Sequence, residues 1–171
     1  MSLSPNTKNS FVEYSESKLI APEDLEKTVA ALRQDGKTIA TINGSFDLLH
    51  PGHLHMLYEA SLQADVLIVA LNSDASIKKY KSAKRPILTL EHRLQMISAL
   101  GFVTYVTFFE ETDPIALLTK IRPDVHVNGS EYGENCIEAE AVKAGGGRLH
   151  IVKLIDGLST TQLIQKILTC V

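Results

Sequence analysis

Residues 65–71 read Asp-Val-Leu-Ile-Val-Ala-Leu, and six apolar residues in succession leave this segment few places to lie. A strand with one wet face alternates apolar and polar side chains, whereas one that is apolar on both sides must be covered on both sides. The run is therefore expected to be an interior strand of a parallel sheet, with helices above and below. Parallel strands need a crossover of a dozen or more residues between them, usually a helix. The rest of the chain supplies those crossovers.

Pro22 to Gly36 places Leu25, Val29 and Leu32 at helical spacing and ends on a glycine, so it is expected to be a helix. Further helices are expected over 54–63, 90–100, 114–121, 135–144 and 160–168, the fourth of these closed by Gly145-Gly146-Gly147. Strands are expected over 37–42, 103–109, 125–128 and 148–154. This alternation predicts an α/β fold, a doubly wound parallel sheet in a single domain spanning 18–171, after a flexible polar tail over 1–17. Ligands of such sheets lie beyond the carboxyl ends of the strands, where the strand order reverses.

Composition narrows the partners. The chain has 171 residues, enough to bury one core, and a formal charge of −3. A nucleic-acid binder would usually be basic, so none is expected as a partner, and any phosphate site must be a local cluster of donors. Cys136 and Cys170 have neither metal-ligand spacing nor the number for a disulfide framework. No apolar run approaches the roughly 20 residues that span a bilayer, so no membrane partner is expected. Met1 to Ser10 lacks an apolar signal core, and a cytoplasmic location is expected.

Chemistry concentrates in two distant stretches. Thr41 to His53 reads TINGSFDLLHPGH, in which a strand runs into Asn43-Gly44-Ser45 and then to His50-Pro51-Gly52-His53. Proline at a first helical position and histidines three apart put both imidazoles on one side of a helix start. That end carries free N–H groups and a partial positive charge, which favour phosphate. A zinc site completed by His55 is less attractive, because no Cys or acidic ligand stands at a familiar spacing. Asp156 to Thr161 reads DGLSTT directly before the last expected helix. Its hydroxyls can cap that helix or present donors to a phosphate.

The HPGH stretch with its preceding NGSFDLLH resembles the HxGH signature of the cytidylyltransferase-like nucleotidyltransferase superfamily, and DGLSTT is similar to that superfamily's GISTT-like motif. The resemblance covers roughly residues 18–168. It implies a Rossmann-like sheet binding a nucleoside triphosphate with Mg²⁺, with His50 and His53 contacting phosphates in the transition state. It implies nucleotide contacts for Asn43, Gly44, Ser45, Phe46 and Asp47, and for Ser159, Thr160 and Thr161. Glu91 and Arg93 (LEHRLQMI) look like an ExR motif, with Arg93 supporting the phosphates. The basic stretch Lys78, Lys79, Lys81, Lys84, Arg85 resembles a KGPTRP-like segment and is expected to be a mobile lid. Lys81 would be catalytic there; Arg85, with Asn72 and Asp74, would hold the acceptor.

Pro123 to Tyr132 (PDVHVNGSEY) is similar to a PDxxVKGxDY-like segment, which implies nucleotide contacts for Asp124, Asn128 and Gly129. Here Asn128 replaces a usual lysine and Glu131 a frequent aspartate. An arginine typical of glycerol-phosphate cytidylyltransferases is missing before Asp156-Gly157. The missing arginine favours the sugar-phosphate adenylyltransferase branch, which joins AMP from ATP to a heptose 1-phosphate, whereas Asn128 can still hydrogen-bond but cannot carry charge to a sugar phosphate. A cytidylyltransferase for glycerol 3-phosphate or a similar alcohol phosphate and an FMN adenylyltransferase are the alternatives. Relatives of this kind are often homodimers.

Overall fold

A computed structural model of the chain describes residues 10–133, 135–155 and 157–170. Five strands form one sheet: β1 (Ile39–Gly44), β2 (Val66–Asn72), β3 (Tyr105–Phe109), β4 (Val125–Gly129) and β5 (Arg148–Val152). Their spatial order is β3-β2-β1-β4-β5, and every neighbouring pair is parallel. The chain winds outward from β1 through β2 to β3, then crosses back to β4 and β5. The order therefore reverses between β1 and β4, and a crevice opens beyond their carboxyl ends.

The apolar run becomes β2, buried at all seven positions. Leu67, Ile68, Val69 and Leu71 are at most 2% exposed, and each such side chain contributes roughly 1.5–3 kcal/mol by leaving water. On one face Leu67, Val69 and Leu71 join Ala40, Ile42 and Val127 beneath α3 (Pro51–Ser61) and α5 (Leu90–Ser98). On the other, Ile68 and Ala70 join Ile39 and Phe109 beneath α2 (Leu25–Gln34) and α6 (Ile115–Ile121). Helix α7 (Ala139–Ala144) precedes β5 and α8 (Thr160–Thr169) follows it. The single-domain doubly wound sheet is as the alternation predicts.

Two helices arise where none was expected. Phe11–Glu16 forms α1 inside the stretch read as a loose tail, closed by a capping box in which Ser10 and Glu13 satisfy each other's backbone N–H. Residues 1–9 of that tail lie outside the described residues. Asp74–Tyr80 forms α4, capped by the Ser73 hydroxyl, so Lys78 and Lys79 sit on a helix and not in a lid loop. Both helices are short, and α4 buries one large apolar residue, Ile77, which is too little to produce a periodicity.

Candidate active site

The turn after β1 is held in an unfavourable shape. Phe46 and Leu48 have φ of 45° and 54°, left-handed values that cost non-glycine residues on the order of 1–3 kcal/mol each. What pins the turn is Asp47, which is 0% exposed. Its carboxylate accepts from the amides of Ile87 and Leu88 at 2.8 and 3.0 Å and from Arg85 Nε at 2.8 Å, with Arg85 Nη2 at 2.6 Å. Burial alone would raise the Asp47 carboxyl, but these amides and the guanidinium together hold it below its ordinary value. Asp47 and Arg85 thus anchor each other. The charge of each is engaged by the other, in the turn where contacts to the nucleotide and the acceptor are expected.

Phe46 is buried and meets His53 edge-on, with ring centroids 5.5 Å apart. His50 occupies the N-cap of α3 and Pro51 its first position. The His50 and His53 rings stack at 3.8 Å between centroids. A Cβ at Gly52 would lie 3.0 Å from His50 Cε1 and 3.2 Å from Leu158 Cβ, so only glycine lets the ring and the distant loop close this tightly. Burial lowers the pKa of both imidazoles. That of His53 is pushed down to about 4, by burial first and then by repulsion from His50 and Lys81. Both rings are therefore neutral near pH 7, and the Nδ1 atom of each is buried without a hydrogen-bond partner.

The C-terminal motif comes to the same place. The Thr160 hydroxyl donates to the Asp47 carbonyl at 3.0 Å, tying the start of α8 to the β1 turn across 113 residues of chain. Ser159 is the N-cap of α8, its hydroxyl accepting from the Gln162 amide at 3.2 Å, and Thr161 beside it is exposed. Two helix N-termini, those of α3 and α8, thus face one another over the turn. Asp156 lies outside the described residues.

A cavity of about 280 Å³ adjoins this cluster beyond β1, β2 and β4. Asn43, Asn72 and Asn128 line it from the ends of those three strands, Ser45 and Lys81 from the side of the histidines. Lys81 Nζ donates to Ser45 Oγ at 2.8 Å, and burial first, then Arg85, lower its pKa. Gly44 borders the cavity too; a Cβ there would stand 3.2 Å from the Phe46 ring. Gly129 ends β4 beside Asn128.

Arg93 is held by the protein's own groups. It is 0% exposed and donates to the carbonyls of Leu88, Ser45 and Asn72 and to Asp74 Oδ1, at 2.7–3.1 Å. It positions the β1 turn, the end of β2 and the start of α4, and it also occupies Asp74. Asp124 lies apart from the other expected site residues. It precedes β4 at the amino end of the sheet, where it accepts from the Ile39 amide at 2.7 Å and pairs with Arg33 at 3.1 Å. Tyr80, Thr112, Tyr132 and Glu138 also line the cavity and went unpredicted. No spacing flags them, because loops from three crossovers bring them together.

Stacked imidazoles at a helix start over the reversal point of a parallel sheet are the layout of a nucleotide-binding α/β enzyme. The chain belongs to the cytidylyltransferase-like family of nucleotidyltransferases, whose model matches residues 41–165. It is 39% identical over 158 residues to the bifunctional protein HldE of Syntrophotalea carbinolica, covering 92% of this chain and 32% of that protein. With the HldE of Geobacter sulfurreducens it shares 42% identity over 141 residues, 82% of this chain and 29% of that one. The chain thus spans about a third of the length of the curated relatives it matches. A crystal structure of a lipopolysaccharide core biosynthesis protein from Thermoplasma volcanium superposes with a TM-score of 0.57 at 28% identity, over 70% of this chain and 98% of that one. Among the described residues no helix is long and apolar enough to cross a membrane.

Proposed function

We propose that the chain transfers AMP from ATP to a sugar 1-phosphate, D-glycero-β-D-manno-heptose 1-phosphate in the fullest reading, giving ADP-heptose and pyrophosphate. The observation that carries this is the Thr160 to Asp47 bond, which draws the two phosphate-type motifs around one space. The HldE relatives and the lipopolysaccharide core biosynthesis neighbour support a sugar phosphate as acceptor over glycerol 3-phosphate or FMN. The reading implies a cytoplasmic enzyme, where ATP is available.

An acceptor phosphate oxygen attacks the α-phosphorus of ATP. The new P–O bond forms as the bond from the α-phosphorus to the bridging oxygen breaks, and pyrophosphate leaves with that electron pair. A phosphate dianion is already nucleophilic, so the protein's task is to position the reactants and stabilise charge. The triphosphate would lie across the starts of α3 and α8. His50 and His53 would donate to its oxygens, with the amides of Ser159, Thr160 and Thr161 beyond. Bound anion raises the pKa of His53 from about 4, strengthening it as a donor when it is needed. Lys81 would take the acceptor phosphate from the cavity side.

Among the described residues no three His, Cys, Asp or Glu side chains gather as a metal cage. Mg²⁺ dehydrates reluctantly and would be carried on the triphosphate, supplying charge neutralisation there. A panel of ATP and CTP against heptose 1-phosphate, glycerol 3-phosphate and FMN, with pyrophosphate as readout, tests the reading. Turnover with ATP and the sugar phosphate is expected; turnover confined to CTP or FMN would overturn it.

A further inference from the structure

Three cations crowd against the β1 turn, Lys81, Arg85 and Arg93, and two of them are already engaged. Arg85 pairs with Asp47, and Arg93 with Asp74 and three backbone carbonyls. Lys81 differs: among the described residues no carboxylate lies within ion-pair reach of its ammonium. Its partner is neutral. Lys81 Nζ donates to the Ser45 hydroxyl at 2.8 Å, 36 residues back along the chain, and lies 5.7 Å from the centre of the Tyr80 ring. An ammonium has three donors and keeps its full charge against a neutral acceptor, so N–H groups remain for an anion. Ser45 itself cannot wander. Its carbonyl accepts from Arg93 Nη1 at 2.7 Å, and the next residue is Phe46, held at a φ of 45° against His53. The buried guanidinium thus fixes the turn, and the turn's hydroxyl fixes the lysine. That lysine needs fixing, because it is the C-cap of α4 and its four-carbon stem would otherwise turn freely in solvent. Its charge reaches the histidines, since it helps to depress the pKa of His53.

We infer that Ser45 is a positioning residue for the transfer, its hydroxyl aiming the Lys81 ammonium at the reacting phosphates beside His50 and His53. This rests on the adenylyl-transfer reading above. A carboxylate in place of the hydroxyl would hold the lysine as firmly, but it would cancel the charge that the phosphates need. A hydroxyl aims without neutralising. Ser45 touches no reacting atom in this arrangement, and whatever it contributes passes through Lys81.

Ser45→Ala removes the acceptor and leaves the bond from Arg93 to the Ser45 carbonyl in place, so an unchanged thermal unfolding midpoint is expected. Turnover of ATP with heptose 1-phosphate, read as pyrophosphate, should fall about ten- to a hundredfold, the range for one hydrogen bond to a charged group. Ser45→Thr keeps the hydroxyl and should recover most of that loss. The decisive measurement is a double-mutant cycle. In a Lys81→Met background Ser45→Ala should cost less than about twofold more, because the lysine it aims is gone. A merely structural serine would cost the same in both backgrounds. That result, or a Ser45→Ala turnover within about twofold of wild type, overturns the positioning role and leaves the reaction standing. Ser45→Cys, close in size but with a sulfur that accepts weakly, decides the matter in the same way if Ser45→Ala fails to fold. Absence of wild-type turnover on any sugar phosphate sinks the reaction, and the positioning role with it.

Discussion

The two ends of this sheet carry similar furniture and do different things. Each has a cavity and an aspartate–arginine pair. At the amino end Arg33 and Asp124 border the larger cavity, about 500 Å³, and both side chains of the pair are over a third exposed. At the carboxyl end the cavity is about 280 Å³, and in the Arg85–Asp47 pair of the neighbouring β1 turn Asp47 is fully buried. Volume would point to the amino end, but its aspartate is satisfied by the Ile39 amide and Arg33. At the carboxyl end Asn43 Oδ1, His50 Nδ1 and His53 Nδ1 are buried and unpaired. An unmade buried hydrogen bond costs roughly 1–3 kcal/mol, a cost best explained where a ligand makes the bond. The difference teaches that unmet bonding capacity locates a site better than empty space does.

The strongest way to break the comparison is through the two aspartates. Asp47→Ala removes a fully buried carboxylate, leaves the half-buried Arg85 without its partner and frees the strained turn. We expect a loss of about 3–5 kcal/mol in urea unfolding, as for other buried pairs deprived of one member. A loss under about 1 kcal/mol would show that the turn is held by something else. Next in size is His53→Ala. Removing one transition-state donor costs about 2.7–4 kcal/mol, or 10²–10³ in rate, with normal folding expected by circular dichroism. Near-wild-type pyrophosphate release would deny the carboxyl end its catalytic role.

Much of the fold and half of the site are legible in the amino-acid sequence. The run from Val66 to Leu71 dictates an interior parallel strand, and the HPGH and DGLSTT stretches mark the two helix starts that meet over the β1 turn. What escapes a sequence reading is instructive. Asp47, Arg85 and Arg93 are expected to touch the nucleotide or the acceptor, and in the structure they bond to one another or to backbone groups. Motif spacing specifies residue type, not which partner wins, and burial decides in favour of the protein's own groups. Asp124 is misplaced by its motif because that motif straddles β4, so its members emerge at opposite ends of a strand. Glu138 escapes because an acid before a short helix reads as a complement to the helix dipole. The Ser10–Glu13 capping box, a Ser-x-x-Glu pattern, goes unread because the stretch around it is polar and short.

A third test uses protons and sharpens the contrast between the site and the sheet behind it. His126 is 0% exposed, its Nδ1 2.8 Å from the Thr41 hydroxyl and its Nε2 unpaired. Burial pushes its pKa down to about 4, where His53 also lies. Below about pH 6.5 the unfolded chain takes up protons that the folded histidines refuse, so stability falls as pH drops from about 6.5 to about 4 and is fully present above that window. For His126 the loss should be on the order of 2–3 kcal/mol by about pH 4. In His126→Leu, equilibrium unfolding across that range should lose its slope by that amount. Saturating ATP should flatten the part that belongs to His53 and leave the His126 part untouched, because the anion reaches one histidine and not the other.

The smallest effect belongs to Asp124→Ala, and its smallness is the point. The pair with Arg33 is over a third exposed on each side, which makes it worth about 0.2–1 kcal/mol. Loss of the carboxylate from the Ile39 amide adds a further share, for a total of about 1–2 kcal/mol in unfolding. Asp124 sits a full β4 length, roughly 16 Å at about 3.3 Å per residue, from the carboxyl end. Screening over that distance is nearly complete at physiological salt, where the Debye length is about 8 Å. Turnover and the KM for ATP should therefore stay at wild-type values while stability drops. A tenfold rise in that KM would return Asp124 to the nucleotide and show that the two ends are coupled after all.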